Sequence, residues 1–331
     1  MPRSISKRAN RQTPAKRKAQ SERTSSAPRR VVNSSNNSNS RPDVMTLHKQ
    51  VCGLTDPFCI HAVGAKIPDH SSAKTLAQTF RGSLTLSTGA SGELAYVFYP
   101  QYSYLPYASF GAGVLPAVTA WSNFAGSPAA ITGSSSYRIV STGFTLKRLT
   151  NDNNSQGVLQ LRQWAGESLA LYAGTDVSSY GSSVVYNQPF ADLETVSCIP
   201  ARTSHPVGNF LTVSLDSAQL TTAPLNKVAP VTIYVSGGPA NTGVLFLEFV
   251  INYEVMFDDA TALSQISTPP PPHNPLVTNA AAAVTSEVKT FFGNAITDVS
   301  KSLARSALSA IGRRFGLTPR NGNPMLIADV D

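Results

Sequence analysis

The sequence predicts an all-β fold, an eight-stranded antiparallel jelly-roll sandwich with a disordered basic N-terminal arm and a C-terminal amphipathic helix. Three observations predict it. Apolar residues alternate with a period of two across residues 50–265. The segments between those runs are rich in Gly, Pro and Ser, as sandwich loops are. Beyond a proline run at Thr268–Pro275 the apolar period lengthens from two to that of a helix. The expected boundaries are 1–43 for the arm, 44–267 for the shell-like β domain, 268–284 for a Pro-rich linker, 285–316 for the helix and 317–331 for a tail.

The arm is defined by charge. Eleven of the 27 Lys and Arg residues but only one of the 19 acids, Glu22, fall in residues 1–42, a local balance of +10 that leaves the remainder at −2. The cations Arg3, Lys7, Arg8, Arg11, Lys16, Arg17, Lys18, Arg23, Arg29, Arg30 and Arg41 are separated by Ser, Thr, Asn, Pro and Ala, which cannot bury a core. Such a segment binds polyanions by releasing their counterions, without reading sequence. It holds no aromatic residue, so base stacking has nothing to work with. A localisation signal or a solubilising tail is the plainer reading of Lys16–Lys18.

The β domain is predicted strand by strand. Expected strands are Leu76–Leu86, Glu93–Tyr99, Tyr137–Leu149, Gly157–Trp164, Glu194–Ile199, Asn209–Leu215, Pro230–Ser236 and Val244–Phe257. The last is the clearest, with Leu245, Leu247, Phe249, Ile251, Tyr253, Val255 and Phe257 on one face. The polar run Asn151–Gln156 suggests a hairpin between its two neighbours. Charged residues are only 14% of the chain, which fits a surface covered by partners or by Ser, Thr and Asn.

After the stiff proline linker, Val288, Phe292, Ile296, Val299, Leu303 and Ile311 fall on one side of a predicted helix carrying Lys289, Lys301, Arg305, Arg313 and Arg314. Two roles suit it. It packs internally with its cations near a bound polyanion, or it lies in a lipid interface with its apolar stripe buried.

Several classes are excluded. There is no G-x-S-x-G, H-E-x-x-H, Walker A or Rossmann glycine pattern, so a binding or structural role is expected rather than an enzyme. Cys52, Cys59 and Cys198 are odd in number and suggest a reducing compartment without a disulfide framework. Cys52, Cys59, His61 and His70 lack paired zinc-ligand spacing. The N-terminus has no apolar signal core, and Glu248 and Glu254 interrupt the most apolar stretch, so no bilayer span is expected.

The block Cys52-Gly-Leu-Thr-Asp56-Pro-Phe-Cys59, running on to Ile67-Pro-Asp69 and Phe80-Arg-Gly, resembles the coat proteins of nodaviruses and of noda- and tombus-like positive-strand RNA viruses. Ser136-Tyr-Arg-Ile-Val-Ser-Thr-Gly-Phe-Thr-Leu146 is similar to a strand in the middle of their jelly roll, and Phe249-Val-Ile-Asn-Tyr-Glu254-Val to their last shell strand. The resemblance implies a subunit that assembles in many copies into an icosahedral virion, formed in the host cytoplasm around single-stranded genomic RNA, with the host membrane as a partner at entry. It also implies one self-cleavage at an Asn-Ala bond, aided by a buried Asp. Asn279-Ala280 is the candidate bond, with Asn294-Ala295 further on; Asp56 is the candidate acid and Asp69 the second choice. An Asn side chain can attack its own carbonyl to form a cyclic imide while a buried carboxylic acid protonates the leaving amide. The plainer reading is that Asp56 begins an Asp-Pro turn and Asn279 caps a helix. Similar coats hold Ca²⁺ between subunits; Asp152, Asp176, Asp192, Glu194, Asp258 and Asp259 are candidates by type alone. The competing class is a non-viral nucleic-acid-binding or lectin-like β-sandwich with a basic localisation tail, which would be a monomer or small oligomer.

Overall fold

The structure, a computed structural model, describes residues 44–100, 106–107, 109–110, 122–123, 134–151, 154, 156–164, 183–202, 210–212, 228–286 and 289–292. The basic arm and residues 293–331 lie outside these. Thirteen strands are described: β1 (Leu76–Ser87), β2 (Leu94–Phe98), β3 (Pro106–Tyr107), β4 (Ser109–Phe110), β5 (Ser122–Asn123), β6 (Ser134–Arg148), β7 (Val158–Gln163), β8 (Ser183–Pro189), β9 (Thr195–Ile199), β10 (Leu211–Thr212), β11 (Val231–Ser236), β12 (Gly243–Phe257) and β13 (Lys289–Phe292). Three helices accompany them: α1 (Val44–Thr55), α2 (Ala262–Ile266) and α3 (Pro275–Thr285). Among the described residues, no helix is long and apolar enough to cross a membrane.

One large sheet runs β1-β12-β6-β9-β13, with β10 also pairing β6; a second runs β4-β2-β11-β7-β8, and β3 and β5 pair as a small third sheet. The pairings within both larger sheets are antiparallel, and the eight longer strands (β1, β12, β6 and β9 facing β2, β11, β7 and β8) make the expected jelly-roll sandwich. The alternation in β12 sets the core. All seven residues of its predicted face are buried there, beside Phe98 and Phe144, whose rings lie 4.9 Å apart.

The expected hairpin across Asn151–Gln156 is not formed. Both edges of β6 are occupied, by β12 and by β9, so the chain must leave that sheet, and β7 belongs to the other one. Gly157 opens β7 at φ 98°, where an added Cβ would meet the Ser236 carbonyl oxygen at 2.3 Å. The eighth strand of the sandwich is β8, outside the expected set, while the described part of the expected strand Asn209–Leu215, residues 210–212, holds the short β10.

A β-bulge ties the sandwich to its helices. Asn252 and Tyr253 of β12 are consecutive, but their partners on β6 are Ser141 and Ile139. The extra residue, Val140, is thereby turned out of the sandwich core, which takes Ile139. Val140 joins a second apolar cluster with Leu47, Val51 and Leu54 of α1, Ile67, and Val277, Ala280, Ala281 and Val284 of α3.

Two expectations beyond β12 are corrected. The linker 268–284 is extended only at first, where Thr268 bridges Thr75 and Pro272 bridges Asp69. From Pro275 it is α3, because proline suits a first helical position, the Asn274 side chain accepts from the Leu276 N–H, and an alanine run follows. The cap is thus Asn274 and not Asn279. The predicted helix 285–316 is also contradicted at its start: α3 ends at Thr285, and Lys289–Phe292 form β13 on β9. Two adjacent phenylalanines favour a strand where an edge is open to receive one. The expected helix residues Val288, Ile296, Val299, Leu303 and Ile311 lie outside the described residues, whereas Phe292 is in β13.

Candidate functional site

The sandwich face that carries α1 and α3 also carries the buried charge. Arg138 on β6 and Glu254 on β12 are register partners, both at positions that point away from the sandwich core. The Arg138 guanidinium lies 2.7 Å from Glu254 Oε2 and 2.5 Å from Asp69 Oδ2, and it donates to the Ile67 carbonyl at 3.0 Å. Glu254, fully buried, also accepts from the Ile67 N–H at 3.1 Å and the Thr75 hydroxyl at 2.6 Å. The Arg138 guanidinium further sits 4.4 Å from the centroid of the Phe210 ring. A cation and two carboxylates removed from water thus have their donors and acceptors met, the condition under which burial of charge is tolerated.

Lys66 extends this network. Its ammonium donates to the Thr75 carbonyl at 2.5 Å, and to the Thr268 carbonyl and hydroxyl at 2.7 and 2.8 Å. Burial lowers its pKa from the ordinary lysine value; Glu254 pulls it back up and Arg138 adds to the fall. Segment 66–75 is therefore tied on one side to the sheet and on the other to the proline segment. The same pairing is made by backbone: Thr75 and Thr268 exchange N–H···O bonds of 2.9 and 3.1 Å, and the Asp69 N–H donates to the Pro271 carbonyl at 3.1 Å.

The end of α3 is tied down by a second arginine. The Arg202 N–H donates to the Thr285 carbonyl at 2.7 Å, while its guanidinium donates to the carbonyls of Ile139 and Val140 at the bulge. Burial lowers the Arg202 pKa to about 10, with neighbouring Arg138 adding to the effect.

Asp56, the candidate acid, follows the end of α1 and is 4% exposed. Its Oδ1 accepts from the Phe58 N–H at 2.9 Å, the Asx turn that an Asp-Pro pair predicts. The turn is pressed onto β6: a Cβ at Gly143 would meet Pro57 Cγ at 2.8 Å and the Cys198 carbonyl oxygen at 2.9 Å. Asp69, the second-choice acid, belongs to the Arg138 network instead. Asn279 is exposed in the middle of α3, while Ala280 is buried in the cluster that also holds Leu47, Val51 and Leu54 of α1. Asn294-Ala295 and the arm cations Arg3 to Arg41 lie outside the described residues.

Two expectations about cysteine and metal meet the structure differently. Cys52 and Cys59 form a disulfide, with Cα atoms 6.5 Å apart, contrary to the expected absence of one. The Asp-Pro turn folds the seven-residue interval back on itself and brings the two thiols together. Cys198 is free and buried, and burial pushes its thiol pKa far up. Among the described residues, no three His, Cys, Asp or Glu side chains gather as a metal site, and Asp192, Glu194, Asp258 and Asp259 are all exposed. Asp152 and Asp176 lie outside the described residues.

The network residues Lys66, Arg138, Arg202 and Glu254 were not among the expected site residues. A signal for two of them exists in the sequence: Tyr137-Arg138-Ile139 and Tyr253-Glu254-Val255 each place one charge inside an otherwise apolar strand. Charges so placed are buried only when paired.

No family model matches the chain, and no curated protein does. Among solved structures, it is similar to a chain of the T13 infectious bursal disease virus particle, at a TM-score of 0.52 and 9% identity, covering 82% of this chain and 99% of that one. A chain of the Gt strain of that virus gives 0.48 at 11% identity, covering 72% and 96%. One from maize chlorotic mottle virus gives 0.37 at 12%, covering 57% and 96%. The first of these likenesses is one of fold: the chain has the antiparallel two-sheet sandwich of that particle subunit.

Proposed function

We propose that this chain is a virus coat protein, many copies of which assemble into an icosahedral shell around single-stranded RNA. The observation that carries the proposal is the jelly-roll sandwich shared with a virus particle subunit, joined through α1 to a segment of eleven cations. The sandwich supplies a rigid wall element. The arm residues Arg3, Lys7, Arg8, Arg11, Lys16, Arg17, Lys18, Arg23, Arg29, Arg30 and Arg41 neutralise phosphates, an affinity that depends on charge and salt rather than base sequence. The chain acts structurally, as part of a virion.

Expression of the full chain followed by negative-stain imaging and sedimentation tests the proposal. Closed particles of megadalton mass are expected; a monomer or small oligomer at all concentrations overturns it in favour of a lectin-like or nucleic-acid-binding sandwich. Deletion of residues 1–41 should leave shells that carry much less RNA, read from the ratio of absorbance at 260 and 280 nm. Equal RNA in both removes the arm from packaging.

The C-terminal segment with Ile296, Val299, Leu303 and Ile311 is the membrane-active element of this proposal, its apolar stripe suited to a lipid interface. Its release by self-cleavage at Asn279-Ala280, with Asp56 as the acid, requires α3 to open first, since that bond lies within a helix. Intact mass on aged particles decides the point. A chain still at full mass retires the cleavage.

A further inference from the structure

His70 and His273 stack, with ring centroids 4.4 Å apart and planes inclined by 35°. They belong to the two segments joined by Lys66 and by the Thr75–Thr268 and Asp69–Pro271 backbone bonds. His273 Nδ1 is buried and has no hydrogen-bond partner among the described residues. The charged groups bonded into these segments are Lys66, Asp69, Arg138 of β6 and Glu254 of β12; Lys74 also lies on the first segment, and Asp258 and Asp259 follow β12. Residues 262–285, which hold α2, the proline segment and α3, carry no charged residue other than the histidine itself when protonated.

We infer that this pair is an acid-operated clasp: protonation of both imidazoles opens the contact between segment 66–75 and the proline segment 268–274. Histidine is the side chain whose charge ordinarily changes between pH 5 and 8. Two imidazolium rings with centroids 4.4 Å apart repel. A protonated Nδ1 on His273 would be a buried donor without an acceptor. The nearest carboxylate in sequence, Asp69, is already committed at both oxygens, Oδ2 to Arg138 and Oδ1 to the Ser71 N–H. Glu254 is likewise engaged by Arg138, Thr75 and Ile67. Opening would free residues 268–274, and with them Asn274, the N-cap of α3.

Hydrogen exchange of the full chain at pH 7.5 and 5.0, corrected for the intrinsic rate, tests the inference. Peptides covering 66–76 and 265–275 report the amides of Asp69, Thr75 and Thr268. Their protection should fall about tenfold or more at pH 5.0 while peptides from β12 keep theirs, and His70→Gln with His273→Gln should abolish the difference. Equal protection at both pH values in the wild type overturns the inference. So does an equal fall in β12, which would mean general acid unfolding. Should the glutamine pair open the clasp at both pH values, His70→Phe with His273→Phe decides, since it keeps stacked rings that cannot titrate. Closure at both pH values supports the clasp, and a persisting pH dependence overturns it.

Discussion

Arg138 and Glu254 face one another across β6 and β12 at 2.7 Å, with 5% and 0% of their side chains exposed. A pair so placed adds little over two well-packed apolar residues, because desolvation offsets most of the attraction. Its effect is one of specification. The same two side chains meet Asp69, Ile67 and Thr75, so segment 66–75 has one register in which every buried charge is matched.

Removing one partner is therefore costly. Glu254→Gln keeps the volume but leaves Arg138 with Asp69 alone, and should destabilise the chain by about 3 kcal/mol. The denaturation midpoint measures this. A loss below about 1 kcal/mol would mean that water reaches the guanidinium and that the pair is not desolvated.

Gly143→Ala should be nearly as damaging for a different reason. The new methyl would meet the ring of Pro57 and the Cys198 carbonyl oxygen at under 3 Å, and neither backbone can yield cheaply. A cost of about 1–3 kcal/mol is expected for such overpacking, with the Asp56 turn lifted from β6. Faster hydrogen exchange at residues 56–59, together with a lowered melting temperature, would report it; unchanged exchange there would show that the turn does not rest on Gly143.

The sandwich was largely legible in the sequence, and the layer on its outer face was not. β12 is buried on both faces along most of its length, so its alternation stands out and gives the core directly. β8 does not stand out, because Val184 is exposed while Val185 and Tyr186 turn inward beside a bulge at Leu161/Arg162. The Asp56 turn follows from Asp-Pro chemistry, which is local. The pairing of Cys52 with Cys59, the capping of α3 by Asn274 and the meeting of Lys66 with Thr268 depend on where the chain returns, and Lys66 and Thr268 are 202 residues apart. Sequence periodicity carries no information about that return. The proline run 269–272 reads as linker, but Pro275 stands at a first helical position with an alanine run behind it, and there proline starts a helix.

Lys66→Met removes three donated bonds, yet the carbonyls of Thr75 and Thr268 keep their backbone partners. The cost should be modest, about 1–2 kcal/mol. Its pH dependence has a definite sign. The folded-state pKa of Lys66 is below that of the unfolded chain, so between the two values the unfolded state binds more protons. Wild-type stability gains with rising pH across that window, up to about pH 10.5, and is without that gain below it. The wild type should accordingly improve relative to Lys66→Met as pH rises through the alkaline range. A difference that shrinks there would contradict the burial of the ammonium.

The three cysteines give a chemical readout of the turn. Unfolded in denaturant without reductant, the chain should show one reactive thiol, Cys198, and after reduction three. In the native state at pH 8, Cys198 should resist alkylation, because it is fully buried and its thiolate is strongly disfavoured. Cys52→Ser opens a loop of seven residues in sequence separation, which should lower stability by about 2 kcal/mol through the freedom regained by the unfolded chain. A thiol count of three without reductant would remove the disulfide. In that case Cys52→Ser should change stability little, since the Asp56 turn would then be held by its own hydrogen bonds and by its seat on Gly143.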